Sequence, residues 1–163
     1  MKPELRDEHR WLERLAGEWT YTGEASHEPG APPEHYEGTE RTWSLGGAWV
    51  VSEGRGGAPG GEVGTTLMTL GYDPEKGEVV GTFVGSMMTM MWIYENGKID
   101  FERNVLTLEA EGPSFFAEGA TALYRDAIEL RGDDERVMTS SVQADDGSWL
   151  TFMTATYRRV RDS

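Results

Sequence analysis

An acidic and a basic side chain on two predicted strands form the first group that could perform chemistry. Alternate side chains of a strand face opposite sides of its sheet, so Tyr124, Asp126 and Ile128 share one apolar face. By the same parity, Arg41 shares a face with Trp43. Because an unpaired carboxylate in an apolar interior is costly, we expect Asp126 to pair with Arg41 there. This pair would either anchor the polar end of a ligand or serve only to stabilise the fold.

His9 is the second candidate, because histidine titrates near neutral pH and can act as a general base. It lies in an apolar stripe with Leu5, Leu12 and Leu15 of a predicted helix. The alternative is a packed side chain whose ring nitrogens are hydrogen-bonded within the protein. The sequence has no nucleophile-elbow motif, and the lack of cysteine excludes thiolate nucleophiles and thiolate metal sites. We predict no established catalytic motif, no metal site and no cofactor.

Methionine and aromatic side chains form the third group, in a predicted strand over residues 88–94. One face carries Met88, Met90, Trp92 and Tyr94, and the other carries Met87, Met91 and Ile93. We expect one face to line the interior and the other to contact a helix or a second subunit, which would give a homodimer. The predicted cavity lining is therefore Trp43, Met88, Met90, Trp92 and Tyr124, with Arg41 and Asp126 as polar anchors and His9 at the mouth.

A helix over residues 3–16 precedes the predicted strands. Pro3 and the acidic residues of the first turn fit the beginning of a helix, and Gly17 fits its end. Gly17-x-Trp19 then starts the first strand, which indicates that Trp19 closes the floor of a barrel. The helix and this junction would fix the first strand in place.

About ten strands are predicted between residues 18 and 160, where polar and apolar residues alternate. Gly46-Gly47 ends the second strand, and Asn96-Gly97 predicts a tight hairpin. Short, regularly spaced strands favour a closed barrel, because closure leaves no exposed edge. The predicted class is all-β and mainly antiparallel: one up-and-down β-barrel with a short N-terminal helix, as a single domain over residues 1–163. Ten strands enclose a wider interior than eight, which favours a cavity.

The composition narrows the classes of partner. The formal charge of −14 arises from 29 acidic and 15 basic residues, and such a surface repels nucleic acid and anionic lipid. We therefore expect no nucleic-acid partner and no membrane partner. The N-terminal residues contain no apolar signal segment, so a cytoplasmic location is predicted.

Several short motifs in a fixed order resemble a known family. They are His9-x-Trp11-Leu12-x-x-Leu15-x-Gly17-x-Trp19, Leu45-Gly46-Gly47-x-Trp49, Gly71-Tyr72-Asp73-Pro74 and Tyr124-Arg125-Asp126. In this order they resemble the uncharacterised bacterial family called domain of unknown function 1579. The resemblance implies a relative of the lipocalin-type (calycin) barrels, which hold ligands. Where the family pattern is expected to have an acidic residue, this chain has Phe83-Val84-Gly85-Ser86-Met87.

Three functions remain open from the sequence. The first is a barrel that binds a small hydrophobic or aromatic molecule in its interior. The second is an enzyme that uses the same cavity, with Asp126 or His9 as the general base. The third is an interaction module that forms a homodimer through its methionine-rich strand.

Overall fold

The computed structural model describes residues 2–57 and 62–161. One helix, α1, spans Asp7–Glu13 and is followed by strands β1 to β10. The strands are β1 Gly17–Ala25, β2 Glu34–Leu45, β3 Trp49–Gly57, β4 Val63–Asp73, β5 Glu78–Gly85, β6 Trp92–Asp100, β7 Val105–Pro113, β8 Thr121–Leu130, β9 Glu135–Gln143 and β10 Trp149–Arg159. No helix among the described residues is long and apolar enough to cross a membrane.

The ten strands form a closed antiparallel barrel. Each strand pairs with its neighbours in the chain, and β1 pairs with both β2 and β10, which closes the sheet. Closure satisfies the backbone hydrogen bonds that an open sheet would leave at its edges. The predicted all-β, up-and-down barrel of about ten strands is therefore confirmed.

The helix is shorter than predicted, and its predicted beginning at Pro3 is wrong. Arg6 has an extended backbone, and its N–H donates to His9 Nδ1 at 2.9 Å, so the helix begins at Asp7. At the other end, the N–H groups of Arg14 and Leu15 donate to carbonyl groups three residues earlier, which tightens the final turn. Gly17, predicted as the helix stop, is instead the first residue of β1.

The helix closes one end of the barrel, which we call the helix end. Trp11, Leu12 and Leu15 are buried in the core together with apolar residues of several strands. Trp19 is only 1% exposed, and its Nε1 donates to the Leu15 carbonyl at 2.9 Å. Arg159 packs over the Trp19 ring at 4.3 Å. Trp19 thus lies in the floor of the barrel, as its place after Gly17 indicated.

Two predicted turns have different outcomes. Gly46 and Gly47 form the turn between β2 and β3 with φ values of 67° and 81°, a conformation that favours glycine. The predicted hairpin at Asn96-Gly97 is wrong, because both residues lie inside β6 at an irregularity in its pairing with β7. Asn96 has φ 53°, which fits a bulge in a strand as well as it fits a turn.

Candidate functional site

A cavity of about 310 Å³ occupies the barrel interior. It extends from Leu15 at the helix end to Met88, which follows β5 at the opposite, open end. Gly54, Gly56 and Gly64 face it from β3 and β4, and Gly56 lies directly opposite Gly64 in the sheet. A Cβ on these glycines would meet Thr66 Oγ1, Tyr21 Oη and Met87 Cε, respectively, at 2.6 Å or less, so glycine allows these side chains to lie close against the strands.

Methionine and other apolar side chains form most of the cavity lining, which we call the methionine wall. Its members are Met68, Leu70, Phe83, Met87, Met88, Ile128, Met138 and Met153. Five of the eight methionines in the sequence are among them. Methionine is flexible and polarizable, so this wall can adapt to the shape of an apolar ligand.

Three tyrosines on adjacent strands form a second part of the lining, the tyrosine wall: Tyr36 of β2, Tyr21 of β1 and Tyr157 of β10. The Tyr21 ring centroid lies 4.9 Å from that of Tyr157 and 5.9 Å from that of Tyr36. No described residue accepts a hydrogen bond from any of the three hydroxyl groups, and Tyr36 Oη is fully buried. Burial raises the pKa of each of these phenols, so they remain protonated at neutral pH.

A buried ion pair lies between the tyrosine wall and the floor. Arg136 of β9 is 4% exposed and donates from Nη2 to Glu40 Oε2 of β2 at 2.5 Å. The guanidinium carbon lies 4.6 Å from the Trp19 ring centroid and 4.4 Å from that of Tyr157. Thr42 Oγ1 donates to Glu40 Oε1 at 3.2 Å. The two charges compensate each other, so this part of the cavity has no formal net charge.

The predicted pair of Arg41 and Asp126 is wrong. Arg41 is exposed on the outer face of β2 and packs over the Trp43 ring at 5.7 Å. Asp126 points inward and accepts hydrogen bonds from Tyr94 Oη and Ser140 Oγ, each at 2.7 Å. Burial raises the pKa of Asp126, and the two hydrogen bonds partly oppose that shift.

Of the residues predicted to line the cavity, Met88 does so in the structure. Met90 lies outside the lining, in the segment between β5 and β6, because β6 begins only at Trp92. Trp92 and Tyr124 face the interior but pack edge to face at 4.9 Å, near Phe115 and Phe152. This aromatic cluster fills its part of the lumen and does not line the cavity.

His9 lies at the helix end, away from the mouth where it was predicted. Its Nδ1 accepts from the Arg6 N–H, and its Nε2 lies 3.0 Å from the Tyr72 carbonyl oxygen. Since a carbonyl oxygen only accepts, Nε2 carries the proton. Both ring nitrogens are thus used within the protein, which agrees with the packed-side-chain alternative for His9.

Sequence reasoning missed the ion pair and the tyrosine wall. In β2 the outward face carries Trp43 and Leu45, whereas the inward face carries Glu40 and Thr42, so polarity alone indicated the wrong face. The available signal was the glycine pattern: Gly54, Gly56 and Gly64 occupy inward positions, where the lack of a Cβ makes room for inward side chains such as Tyr21 and Met87.

The architecture defines the class of protein: a closed ten-stranded antiparallel barrel with an interior cavity and a helix across one end. Residues 4–159 match the model of the family described as "Protein of unknown function (DUF1579)", and the chain belongs to this family. The resemblance seen in the motifs is thereby confirmed. No curated protein matches the sequence.

Two solved structures share the fold over nearly the whole chain. The crystal structure of Rv2717c from M. tuberculosis has a TM-score of 0.66 and 16% identity, with 97% of this chain and 100% of that chain covered. The S-type phycobiliprotein lyase CPES from Guillardia theta has a TM-score of 0.60 and 16% identity, with coverages of 99% and 100%. At this identity, the similarity shows a common fold.

Proposed function

We propose that the protein binds a small, mainly apolar molecule inside its barrel. The observation that carries the proposal is the 310 Å³ cavity, which is lined mainly by the apolar side chains of the methionine wall. Its volume is near the lower end of the range for ligand pockets, about 300–1,000 Å³, so the ligand is small. Burial of apolar surface would provide most of the affinity.

Adjacent threonines of β4 allow a matched test of this proposal. Thr66 lines the cavity, whereas its neighbour Thr65 does not and faces the other side of the sheet. We expect Thr66→Phe to weaken binding of naphthalene at least tenfold, because the ring occupies cavity volume. Thr65→Phe introduces the same ring on the outside and should leave the affinity within about twofold. Equilibrium dialysis of the folded variants measures both, and equal affinities would contradict binding in the lumen.

Self-association through an outer face is a second candidate function. Leu67 of β4 lies opposite Val84 of β5, and Ile93 of β6 lies opposite Thr82 of β5, so these residues form a continuous uncharged patch. Ile93 is 60% exposed. Glu53 lies opposite Leu67 in the sheet, and Glu95 shares the outer face of Ile93, so carboxylates border the patch. In a dimer of two chains that each carry a charge of −14, the apolar residues would form the centre of the interface and these carboxylates its rim.

The oligomeric state tests this second candidate. Analytical ultracentrifugation should find a dimer for the unmodified chain and a monomer for Ile93→Lys, because the lysine would be buried in the interface. Val160→Lys is the control, since Val160 is also exposed but lies beyond the end of β10. A monomeric unmodified chain would contradict the homodimer.

A further inference from the structure

We propose that the ligand is an uncharged aromatic molecule with a hydrogen-bond acceptor, and that the acceptor lies against the hydroxyl groups of Tyr21 and Tyr157. This inference rests on the proposed function and specifies the chemistry of the ligand. It follows from three properties of the cavity: unpaired donors, an adaptable aromatic and methionine lining, and internally compensated charge.

The donors carry most of the argument. The other inward-facing tyrosines have acceptors within the protein: Tyr94 donates to Asp126, and Tyr124 donates to the Pro113 carbonyl. The three hydroxyl groups of the tyrosine wall have no acceptor among the described residues, although Tyr36 Oη is fully buried. Because Tyr36 Oη is fully enclosed by protein, a ligand in the cavity cannot reach it. The hydroxyl groups of Tyr21 and Tyr157 are not fully enclosed, and a ligand acceptor can supply the partner that the described residues do not.

The protonation state of the tyrosine wall decides which ligand group it selects. Burial is the first cause of the raised pKa of all three phenols, and each therefore keeps its proton at neutral pH. A protonated phenol in this setting offers an O–H, and the complementary ligand atom is a carbonyl oxygen, an ether oxygen or a ring nitrogen.

The lining favours a flat aromatic ligand. Tyr21 lies close against its neighbouring strands, since a Cβ on Gly38 or Gly56 would come within 2.4 or 2.2 Å of Tyr21 Oη. The methionine wall contributes thioether sulfurs, which make favourable contacts with aromatic rings. An aromatic ligand would thus contact tyrosine rings and methionine sulfurs in the same cavity.

The charge of the cavity favours an uncharged ligand. Arg136 is a cation among the lining residues, but its guanidinium is paired with Glu40 and covered by Trp19 and Tyr157. An anionic ligand would have to displace Glu40 from Arg136, and a cationic ligand would have to displace Arg136 from Glu40. In either case one buried charge of the protein would lose its partner, which is strongly unfavourable.

Three probes of similar size test the inference: naphthalene, quinoline and 2-naphthoate. Quinoline differs from naphthalene by one acceptor nitrogen and is uncharged at neutral pH, whereas 2-naphthoate is an anion. Their affinities are measured by equilibrium dialysis on the full chain and on Tyr→Phe variants at positions 21, 36 and 157, singly and together. Tyr72→Phe is the control, because Tyr72 borders a groove at the helix end and does not line the cavity.

We expect the triple variant to bind quinoline about fivefold more weakly, the loss of one hydrogen bond, while naphthalene affinity stays within about twofold. Tyr72→Phe should change neither affinity, and 2-naphthoate should bind more weakly than both neutral probes. Should the triple variant fail to fold, the single variants at positions 21 and 157 test the same expectation, whereas Tyr36→Phe should leave both affinities unchanged because Tyr36 Oη is fully enclosed. Without ligand, Tyr36→Phe should leave the urea midpoint unchanged or raise it, because the hydroxyl that it removes has no partner.

Different outcomes contradict different parts of the proposal. If naphthalene binds but no Tyr→Phe variant lowers quinoline affinity, the hydroxyl groups contact only water and this inference is wrong, while the proposed function stands. If 2-naphthoate binds most tightly, the ligand is not uncharged. If neither neutral probe binds, the proposed function fails together with the inference.

Discussion

The ion pair of Arg136 and Glu40 allows a quantitative test of how the barrel interior is built. The perturbations are Arg136→Met and Glu40→Leu, alone and together. Each single substitution leaves one charge without its partner among side chains that are 5% and 11% exposed. The removal of one member of such a buried pair costs about 3–5 kcal/mol of unfolding free energy, because the remaining charge is poorly solvated.

The double variant should be much more stable than the sum of the single effects predicts. Neither charge then remains, and the apolar replacements contact Trp19 and Tyr157, which flank the guanidinium now. We expect the double variant to lose less than about 2 kcal/mol, so the coupling free energy is at least about 4 kcal/mol. Both values follow from urea denaturation followed by tryptophan fluorescence.

Arg158 and Glu135 form a matched control on the outer surface of β10 and β9. Their side chains are 69% and 32% exposed and their charged atoms lie 3.0 Å apart. Because solvent screens this pair, Arg158→Met should cost less than about 1 kcal/mol. Additive effects of Arg136→Met and Glu40→Leu, within about 0.5 kcal/mol, would refute a shared, poorly solvated environment for the buried pair.

Three further predictions concern the floor, the wall and the inner carboxylate. Trp19→Ala should cost about 3–5 kcal/mol in urea denaturation, and a loss below about 1 kcal/mol would place the ring outside the floor. Gly56→Ala should cost about 1–3 kcal/mol, since its Cβ meets Tyr21 Oη, whereas the control Gly57→Ala, which meets nothing within 4 Å, should be nearly neutral. The pKa of Asp126 is raised above 3.8 in the folded state, so the folded protein holds this proton to higher pH than the unfolded chain does. Stability relative to Asp126→Asn should therefore fall as pH rises from about 4 through the folded pKa; a pH-independent difference would contradict the shift.

The fold could be predicted because its signals are local. Alternation of polar and apolar residues, glycine turns and regular strand spacing all indicated short antiparallel strands, and the need to pair every edge then indicated closure. The boundaries of the helix and of β6 depended on specific contacts that composition does not encode. The bond from the Arg6 N–H to His9 Nδ1 sets the beginning of the helix, and a bulge at Asn96 carries β6 through a sequence typical of a turn.

The site was harder to predict because a cavity reverses the usual rule for strand faces. In a filled barrel the apolar face points inward, and Arg41 and Trp43 would then face the interior. Here the inner face of β2 carries Glu40, which Arg136 neutralises from β9, a strand far away in sequence. Such a partner cannot be identified from parity alone, because parity determines which residues share a face but not which face points inward.

The central claim is that a ligand enters the barrel interior, and NMR of the methionine methyl groups tests it most directly. With naphthalene as the probe, the methyl signals of Met68, Met87, Met88, Met138 and Met153 should shift, since these residues line the cavity. Met90 and Met91, which lie between β5 and β6 and outside the lining, provide controls within the same chain and should not shift. Shifts confined to Met90 and Met91, or no shifts at saturating naphthalene, would contradict binding in the lumen.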